Sequence, residues 1–257
     1  MEKESNAKPE DKNLKNSNKV SLKIKTQRFK SKALGTYYGN PIRDMKLICI
    51  TGSTGKSTTA HFLHEILRAS GEHVAILASD NEFKVKTLHK FFSNAWKAGA
   101  NYVIVTAPAE SLNKNVFYGL PIEVAALTNY VDSSLATPTP DEYIKSGSTL
   151  FSMNPKIVVL NQDDLYYSEF QKYTGKDKSL TYGHGYNANL KIENSTLYKL
   201  GVEACFSLGS NFFTCASFLT GEPVISYMAC AAAIASALNI DTSTISDGIA
   251  NYNPEEK

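Results

Sequence analysis

The sequence from residue 47 to residue 60 is Leu47-Ile48-Cys49-Ile50-Thr51-Gly52-Ser53-Thr54-Gly55-Lys56-Ser57-Thr58-Thr59-Ala60. Its apolar start predicts a short buried strand, its two glycines predict a tight turn, and a helix is expected from Ser57 onward. Gly52 and Gly55 allow successive backbone N–H groups to point inward, which forms an anion-binding nest at a helix N-terminus. The stretch therefore predicts a site for nucleotide phosphates.

Each residue of this loop has an expected role. Lys56 would reach the β- and γ-phosphates as the phosphate-stabilising catalytic group, and the Ser57 hydroxyl would bind Mg²⁺. We predict ATP or ADP with Mg²⁺ as ligands. The predicted nucleotide-binding set is Gly52, Ser53, Thr54, Gly55, Lys56, Ser57 and Thr58. A plain glycine turn with a solvated lysine is the alternative. It is disfavoured because strand, loop, Lys-Ser-Thr and amphipathic helix follow in the right order.

Composition limits the other possibilities. The 257 residues carry a net charge of +2, which is too small to argue for nucleic acid or a membrane surface as partner. The four cysteines show no metal-ligand spacing, so we expect free thiols in a reducing compartment. The sequence has neither a long apolar run nor an apolar signal core near its start. We therefore expect a cytoplasmic protein without a membrane span.

The chain divides into three parts. Residues 1–19 are rich in Lys, Glu and Asn and are expected to be a disordered tail. Residues 20–44 carry a few apolar residues and are expected to be a lead-in segment that packs on the domain edge. Residues 45–257 would form one ATP-binding domain, since this length suffices for a large α/β core.

Strands and helices alternate through most of that domain. Apolar runs predict further strands at 74–77, 102–106, 124–127 and 157–160, with helical patterns between them. This alternation indicates an α/β fold of the P-loop type with a doubly wound, mainly parallel sheet. From about Ser179 the pattern changes to a period of two, which predicts a small antiparallel sheet near the C-terminal part. An alanine-rich helix at 224–238 and a short helix near 244–250 follow.

The loop is shorter than the common phosphate loop, because only Ser53 and Thr54 separate its first glycine from Gly55. The form T-G-x-x-G-K-[ST]-[ST] resembles the Mur ligases, which build peptidoglycan precursors, and their folylpolyglutamate synthase relatives. Further resemblances follow in family order over roughly residues 37–253. They are Tyr38-Gly39-Asn40-Pro41, Leu127-Thr128-Asn129, Leu160-Asn161-Gln162-Asp163-Asp164, Thr181-Tyr182-Gly183 and the segment 219–240. The match is strongest to the ligases that add the third residue to the UDP-muramoyl dipeptide.

This resemblance implies a central ATPase domain, in which ATP phosphorylates a carboxylate and an amine then attacks the acyl phosphate. Asn129, in the family's strand-end T-N motif, joins the predicted nucleotide-binding set. The resemblance also locates missing groups. Thr106 occupies the position of the family's metal-binding glutamate, Ser134 falls where a metal-binding histidine belongs, and Gly147 replaces the carbamoylated lysine. Glu110, one helical turn after Thr106, could bind metal only if its loop were re-threaded.

Two further features carry weaker functional interpretations. His61 and His64 could form a metal pair, but no carboxylate partner lies at the correct offset, so packing or surface roles are favoured. Asp163 and Asp164 could also bind metal, although a helix N-cap with a following acidic residue is the simpler interpretation.

Three function classes stay open. The first is an ATP-binding Mur ligase-like domain that is catalytically impaired alone. The second is a working ATP-dependent acid–amino acid ligase completed by a partner chain, since the family's two substrate domains do not fit this length. The third is an unrelated P-loop kinase or ATPase, which would make the later sequence resemblances coincidental.

Overall fold

A computed structural model describes residues 9–131, 138–173 and 179–254. The strands are β1 (Lys46–Thr51), β2 (Val74–Leu77), β3 (Tyr102–Thr106), β4 (Ile122–Leu127), β5 (Ile157–Asn161), β6 (Ser179–Gly183), β7 (Leu190–Tyr198), β8 (Gly201–Leu208) and β9 (Asn211–Ser217). The helices are α1 (Pro9–Tyr37), α2 (Lys56–Ala69), α3 (Val85–Lys97), α4 (Ala109–Asn113), α5 (Pro140–Phe151), α6 (Tyr167–Gln171), α7 (Pro223–Ala237) and α8 (Thr242–Ala250). A short 3₁₀ helix, Pro41–Asp44, precedes β1.

The strands of the described residues form one sheet in the order β2-β3-β1-β4-β5-β6-β7-β8-β9. Neighbours from β2 to β7 are parallel, and the β7–β8 and β8–β9 pairs are antiparallel. The predicted fold class, a mainly parallel doubly wound sheet with an antiparallel part near the C-terminal end, is confirmed.

Two details differ from the sequence-based expectation. β6 pairs in parallel with β5, with Val158 opposite Ser179, and the antiparallel strands extend the main sheet instead of forming a second one. Strand β7 has an irregular register between Ile192 and Asn194. A period of two reports that one face of a strand is less buried. It does not report the direction of the neighbouring strand, so the pattern could not reveal these features.

The sheet separates two apolar cores, and β1 contributes to both. Ile48 and Ile50 face the core built with α2, α7 and α8, whereas Leu47 and Cys49 face the core built with α3, α5 and α6. All four side chains are fully buried, as expected for the central strand of a sheet covered on both faces. This packing on both faces fixes the position of β1 and of the loop that follows its carboxyl end.

The expected tail and lead-in segment at the N-terminus stay predictions. The structure places residues 9–19 in the first part of α1, while residues 1–8 lie outside the described residues. Low hydrophobicity removes a reason to pack, but Lys, Glu and Leu are good helix formers, so it does not exclude an exposed helix. Farther along α1, Leu34 packs against the second core. The domain boundary at residue 45 stays a prediction.

The cysteines and helices agree with the composition. Cys49, Cys215 and Cys230 are buried free thiols, and Cys205 is a partly exposed one. Among the described residues, no helix combines the length and the apolar character needed to cross a bilayer.

Candidate functional site

The predicted phosphate loop connects the carboxyl end of β1 to the first residue of α2, Lys56. Gly52 and Gly55 have φ values of 142° and 76°, which side chains other than glycine rarely adopt. A Cβ atom at Gly52 would overlap the Thr128 hydroxyl, and one at Gly55 would overlap the Tyr227 ring. Both glycines are therefore required by backbone angle and by close neighbours.

The residues after β4 hold the loop in shape. The Ser53 backbone N–H donates to the Asn129 carbonyl oxygen at 2.9 Å, and the Thr54 hydroxyl donates to Asn129 Oδ1 at 2.8 Å. The Thr128 hydroxyl donates to the Thr54 carbonyl oxygen at 2.6 Å. The Thr128-Asn129 pair thus braces the loop from behind, and Asn129 is not among the residues that line the adjoining cavity.

A cavity of about 620 Å³ opens in front of the loop. Its size lies within the range of roughly 300–1,000 Å³ that is usual for small-molecule and cofactor sites. It is lined by all seven predicted loop residues, and also by Asp80, Pro108, Ala109, Glu110, Asn113, Pro138 and Glu142. The structure therefore brings Gly52, Ser53, Thr54, Gly55, Lys56, Ser57 and Thr58 together around one space of suitable size.

Lys56 is a buried lysine whose charge is directed to the loop. Its side chain is only 9% exposed, and its Nζ donates to the Ser53 carbonyl oxygen at 3.1 Å. The same Nζ lies 3.3 Å from Asp80 Oδ1. A buried lysine usually has a polar partner, and here two acceptors hold the ammonium in place. Because Asp80 is 76% exposed, an incoming anion could displace it at little cost.

Three carboxylates line the cavity together with the Ser57 hydroxyl: Asp80, Glu110 and Glu142. Glu110 lies in the first turn of α4 and reaches the cavity wall, so re-threading of its loop is not required for that. Sequence reasoning missed Asp80 and Glu142. Asp80 follows β2, and the carboxyl ends of parallel strands meet at one sheet edge, which is the signal that could have found it. Within the described residues, no three His, Cys, Asp or Glu side chains form a ready-made metal cluster.

Thr106, which the resemblance places at the family's metal-binding glutamate, has a structural role. Its side chain is fully buried at the end of β3. The hydroxyl donates to the Ser79 carbonyl oxygen and accepts from the Ser79 N–H, both at 2.8 Å. This reciprocal pair ties the segment after β2 to β3 and leaves the Thr106 hydroxyl without a free donor function.

Gly147, which the resemblance places at the family's carbamoylated lysine, has no space for a side chain. Gly147 is buried in α5, where a Cβ atom would lie 2.6 Å from the Phe170 ring. Lys145, two residues earlier, is exposed and is not a cavity residue. Tyr227 of α7 packs on Gly55, and its hydroxyl lies 3.4 Å from Thr54 Oγ1. Ser134 lies outside the described residues.

Asp164 is a buried hydrogen-bond acceptor, and neither it nor Asp163 caps a helix. The residue before α6 is Tyr166, so the predicted N-cap is wrong. Asp164 accepts from the Tyr130 N–H at 2.6 Å, the Tyr143 hydroxyl at 2.7 Å and the Tyr166 N–H at 2.8 Å. Burial raises the pKa of Asp164, against the opposing effect of these bonds. Because Tyr130 follows Asn129 directly, Asp164 anchors the segment that braces the loop.

We expect Asp164→Asn to lower the free energy of unfolding by roughly 1–3 kcal/mol, because the amide NH₂ would replace an acceptor and face a backbone N–H donor. Urea denaturation measures the change. Asp163→Asn is the matched control. Its carboxylate is 38% exposed, and both oxygens accept from one backbone donor, the His184 N–H, from which an asparagine Oδ1 can still accept. The remaining loss is the exposed ion pair with the His184 ring, so a change of only about 0.5 kcal/mol is expected there. Equal effects of the two substitutions would contradict the anchoring role.

The histidine pair on α2 has separate partners. The His61 ring stacks on Tyr252 with a centroid distance of 5.5 Å, and His64 Nδ1 lies 2.9 Å from Glu65 Oε1. Packing and surface roles therefore describe these side chains, as the sequence interpretation favoured.

Comparison with known proteins agrees with this geometry. The sequence profile of the Mur ligase middle domain matches residues 50–235. The UDP-N-acetylmuramoyl-L-alanyl-D-glutamate–2,6-diaminopimelate ligase of Bacillus licheniformis is 29% identical over 235 residues, which are 83% of this chain and 48% of that protein. Ligase 1 of the same name from Clostridium acetobutylicum is 30% identical over 65% of this chain and 37% of its own length. The chain thus spans half or less of the curated relatives it matches.

Solved structures show the same fold. A UDP-N-acetylmuramoyl-L-alanyl-D-glutamate–2,6-diaminopimelate ligase superimposes with a TM-score of 0.78 at 19% identity, over 89% of this chain and 50% of that chain. The MurF ligase from Thermotoga maritima, solved in complex with ADP, has a TM-score of 0.60 at 14% identity, over 87% of this chain and 52% of its own. With the profile match over most of the chain, these likenesses identify it: the protein belongs to the Mur ligase family, whose middle domain it contains.

Proposed function

We propose that this chain binds ATP with Mg²⁺ at the loop of residues 52–58, and that it does not carry out ligation by itself. The observation that carries the first half is the shaped loop, with Lys56 buried and directed to it, in front of a cavity of about 620 Å³. The second half rests on Thr106, whose hydroxyl is engaged by Ser79, and on Gly147, where a Cβ atom would lie 2.6 Å from the Phe170 ring.

The loop offers what a nucleotide polyphosphate requires. Backbone N–H groups at the start of α2 and the Lys56 ammonium would share the β- and γ-phosphates. In the structure, Asp80 Oδ1 lies 3.3 Å from Lys56 Nζ. Binding of phosphate would replace one anionic partner of Lys56 by another. The ADP complex of the Thermotoga maritima relative supports the choice of an adenine nucleotide.

One Mg²⁺ ion fits the donors at the cavity. Mg²⁺ is usually held by one or two carboxylates, substrate phosphates and waters. Here Ser57 would supply a hydroxyl, and Asp80, Glu110 and Glu142 line the same wall. When bound, the ion would neutralise charge on the phosphates. The family's further metal ligands do not fit, because the Thr106 hydroxyl is occupied by Ser79 and Gly147 cannot accept a lysine side chain.

Family membership excludes the unrelated P-loop kinase or ATPase. The remaining alternative is a ligase completed by a partner chain. The acidic side chains of Glu110 and Glu142 at the cavity favour it, since they could replace the missing metal ligands. Measurement of substrate-dependent ADP release separates the two proposals.

Titration of the purified chain with ATP, with and without Mg²⁺, tests nucleotide binding. We expect saturable binding that Mg²⁺ strengthens, and we expect Glu110→Gln to reduce this Mg²⁺ effect. Glu169→Gln is the matched control, because Glu169 is exposed on α6 and does not line the cavity. Absence of saturable binding under both conditions would contradict the proposal.

Asp80→Asn has an expected effect of the opposite sign when Mg²⁺ is absent. The substitution removes the anion that competes with phosphate for Lys56, so ATP without metal should bind more tightly. The gain should be small, about two- to fivefold, because exposed ion pairs contribute only roughly 0.2–1 kcal/mol. Calorimetric titration in excess chelator measures it, and weaker binding by Asp80→Asn would show that Asp80 does not compete.

A further inference from the structure

A second cavity lies where α1, the 3₁₀ helix and α3 meet. It has a volume of about 260 Å³ and shares no lining residue with the cavity at the phosphate loop. Three of its lining residues are basic, namely Arg28, Lys32 and Arg43, and none of the described lining residues is acidic. The wall therefore has one sign of charge, which concentrates anions in a small space.

The positive charges of this cavity are not neutralised by the surrounding residues. In the described parts of the chain, Arg28, Lys32 and Arg43 form no ion pair. The Arg28 guanidinium lies 5.8 Å from the centre of the Tyr118 ring, a cation–π contact that orients the group without using its N–H donors. Two guanidinium groups and one ammonium are thus available to a ligand.

His89 adds a buried group without a hydrogen-bond partner on one of its nitrogens. The residue is 3% exposed and lines the same cavity. Its Nε2 lies 3.0 Å from Ser31 Oγ, whereas its Nδ1 has no hydrogen-bond partner among the described residues. Burial lowers the pKa of His89, which favours a neutral ring. If the Ser31 hydroxyl donates to Nε2, the ring proton lies on Nδ1 and requires an acceptor.

We propose that this cavity binds the phosphate group of a small phosphomonoester. Arginine forks match the oxygens of phosphate, and the lysine ammonium supplies a further donor. His89 lines the same cavity, so its ring would report the bound anion. The volume lies below the range of roughly 300–1,000 Å³ typical of sites for drug-sized ligands. The cavity thus has room for a phosphate with a short substituent, and the rest of a larger ligand would extend into solvent.

The test is a titration of the full chain with inorganic phosphate and with glycerol 3-phosphate at constant ionic strength, followed by the NMR signals of the His89 ring nitrogens. His89→Gln assigns those signals. Arg43→Gln removes one cavity charge. Lys90→Gln is the matched control, since Lys90 is exposed, follows His89 directly and does not line the cavity. Lys56→Ala separates this cavity from the phosphate loop.

We expect saturable shifts of the His89 signals with both probes in the parent, in Lys90→Gln and in Lys56→Ala. In Arg43→Gln the apparent dissociation constant should rise about tenfold or more, the usual effect of losing a charge-assisted hydrogen bond. Unmoved His89 signals would overturn the proposal. Equal weakening by Arg43→Gln and Lys90→Gln would also overturn it, because it would show a general charge effect. A response that disappears in Lys56→Ala would assign phosphate binding to the loop alone.

Discussion

Lys56→Ala is expected to weaken ATP binding by about ten- to 150-fold for each hydrogen bond to phosphate that it removes, since a hydrogen bond to a charged group contributes roughly 1.5–3 kcal/mol. Lys56 is the cation that the loop would present to the phosphates, and its Nζ lies 3.1 Å from the Ser53 carbonyl oxygen. The remaining backbone N–H groups cannot supply its charge. Calorimetric titration with ATP and Mg²⁺ measures the weakening.

Two further variants make the Lys56 result interpretable. Lys145→Ala removes an equal charge from an exposed position on α5 outside the cavity, and it should bind ATP as the parent does. Lys56→Met keeps most of the buried aliphatic volume without the ammonium, so it should bind as poorly as Lys56→Ala while melting close to the parent. If Lys56→Met retained parental affinity, the nucleotide would have to bind elsewhere.

Ligase turnover by the isolated chain is expected to be at background. Removal of one well-placed electrostatic group commonly costs about 10²–10³ in rate, and this chain lacks the expected groups at both Thr106 and Gly147, although such effects are not additive. The assay is ADP release with UDP-muramoyl dipeptide and candidate diamino acids. Substrate-dependent turnover near ~1 s⁻¹, ordinary for enzymes, would contradict the expectation. Glu110→Gln would then test the first replacement metal ligand.

Restoring the family's residues one at a time should not restore activity. Gly147→Lys introduces a Cβ atom 2.6 Å from the Phe170 ring, at a buried position of α5. Overpacking of this kind typically costs roughly 1–3 kcal/mol, and the lysine charge would add to it. We therefore expect a lower melting temperature for Gly147→Lys and an unchanged background rate. Lys145→Ala, at an exposed position of the same helix, is again the control and should leave the melting temperature unchanged.

Local patterns were sufficient for the loop and for most of the sheet. The apolar run before Gly52, the two glycines and the helix after them are close in sequence, so β1, the loop and α2 could be predicted together. β2 and β3 occupy the predicted ranges, 74–77 and 102–106. Short sequence motifs that resemble the Mur ligases predicted that Thr106 and Gly147 replace a metal-binding glutamate and a carbamoylated lysine. That prediction required no knowledge of tertiary contacts.

Interactions distant in sequence could not be predicted. The hydroxyl of Thr106 binds Ser79, 27 positions away, and its engagement depends on how β2 and β3 are placed side by side. Asp80 reaches the cavity for the same reason, because sheet order brings its strand end to the loop. Asp164 accepts from groups near residues 130 and 143, so its interpretation as a helix cap failed against tertiary interactions that no local window contains.

Nucleotide binding without turnover is tested most directly by identifying the nucleotide that the protein retains. The full chain is incubated with ATP, Mg²⁺, UDP-muramoyl dipeptide and a diamino acid, separated rapidly from free ligand, and its bound nucleotide is extracted and quantified by chromatography. We predict about one ATP per chain, unhydrolysed, and almost none in Lys56→Met. Recovery of ADP that accumulates only when both substrates are present, or recovery of no nucleotide from the parent chain, would contradict this prediction.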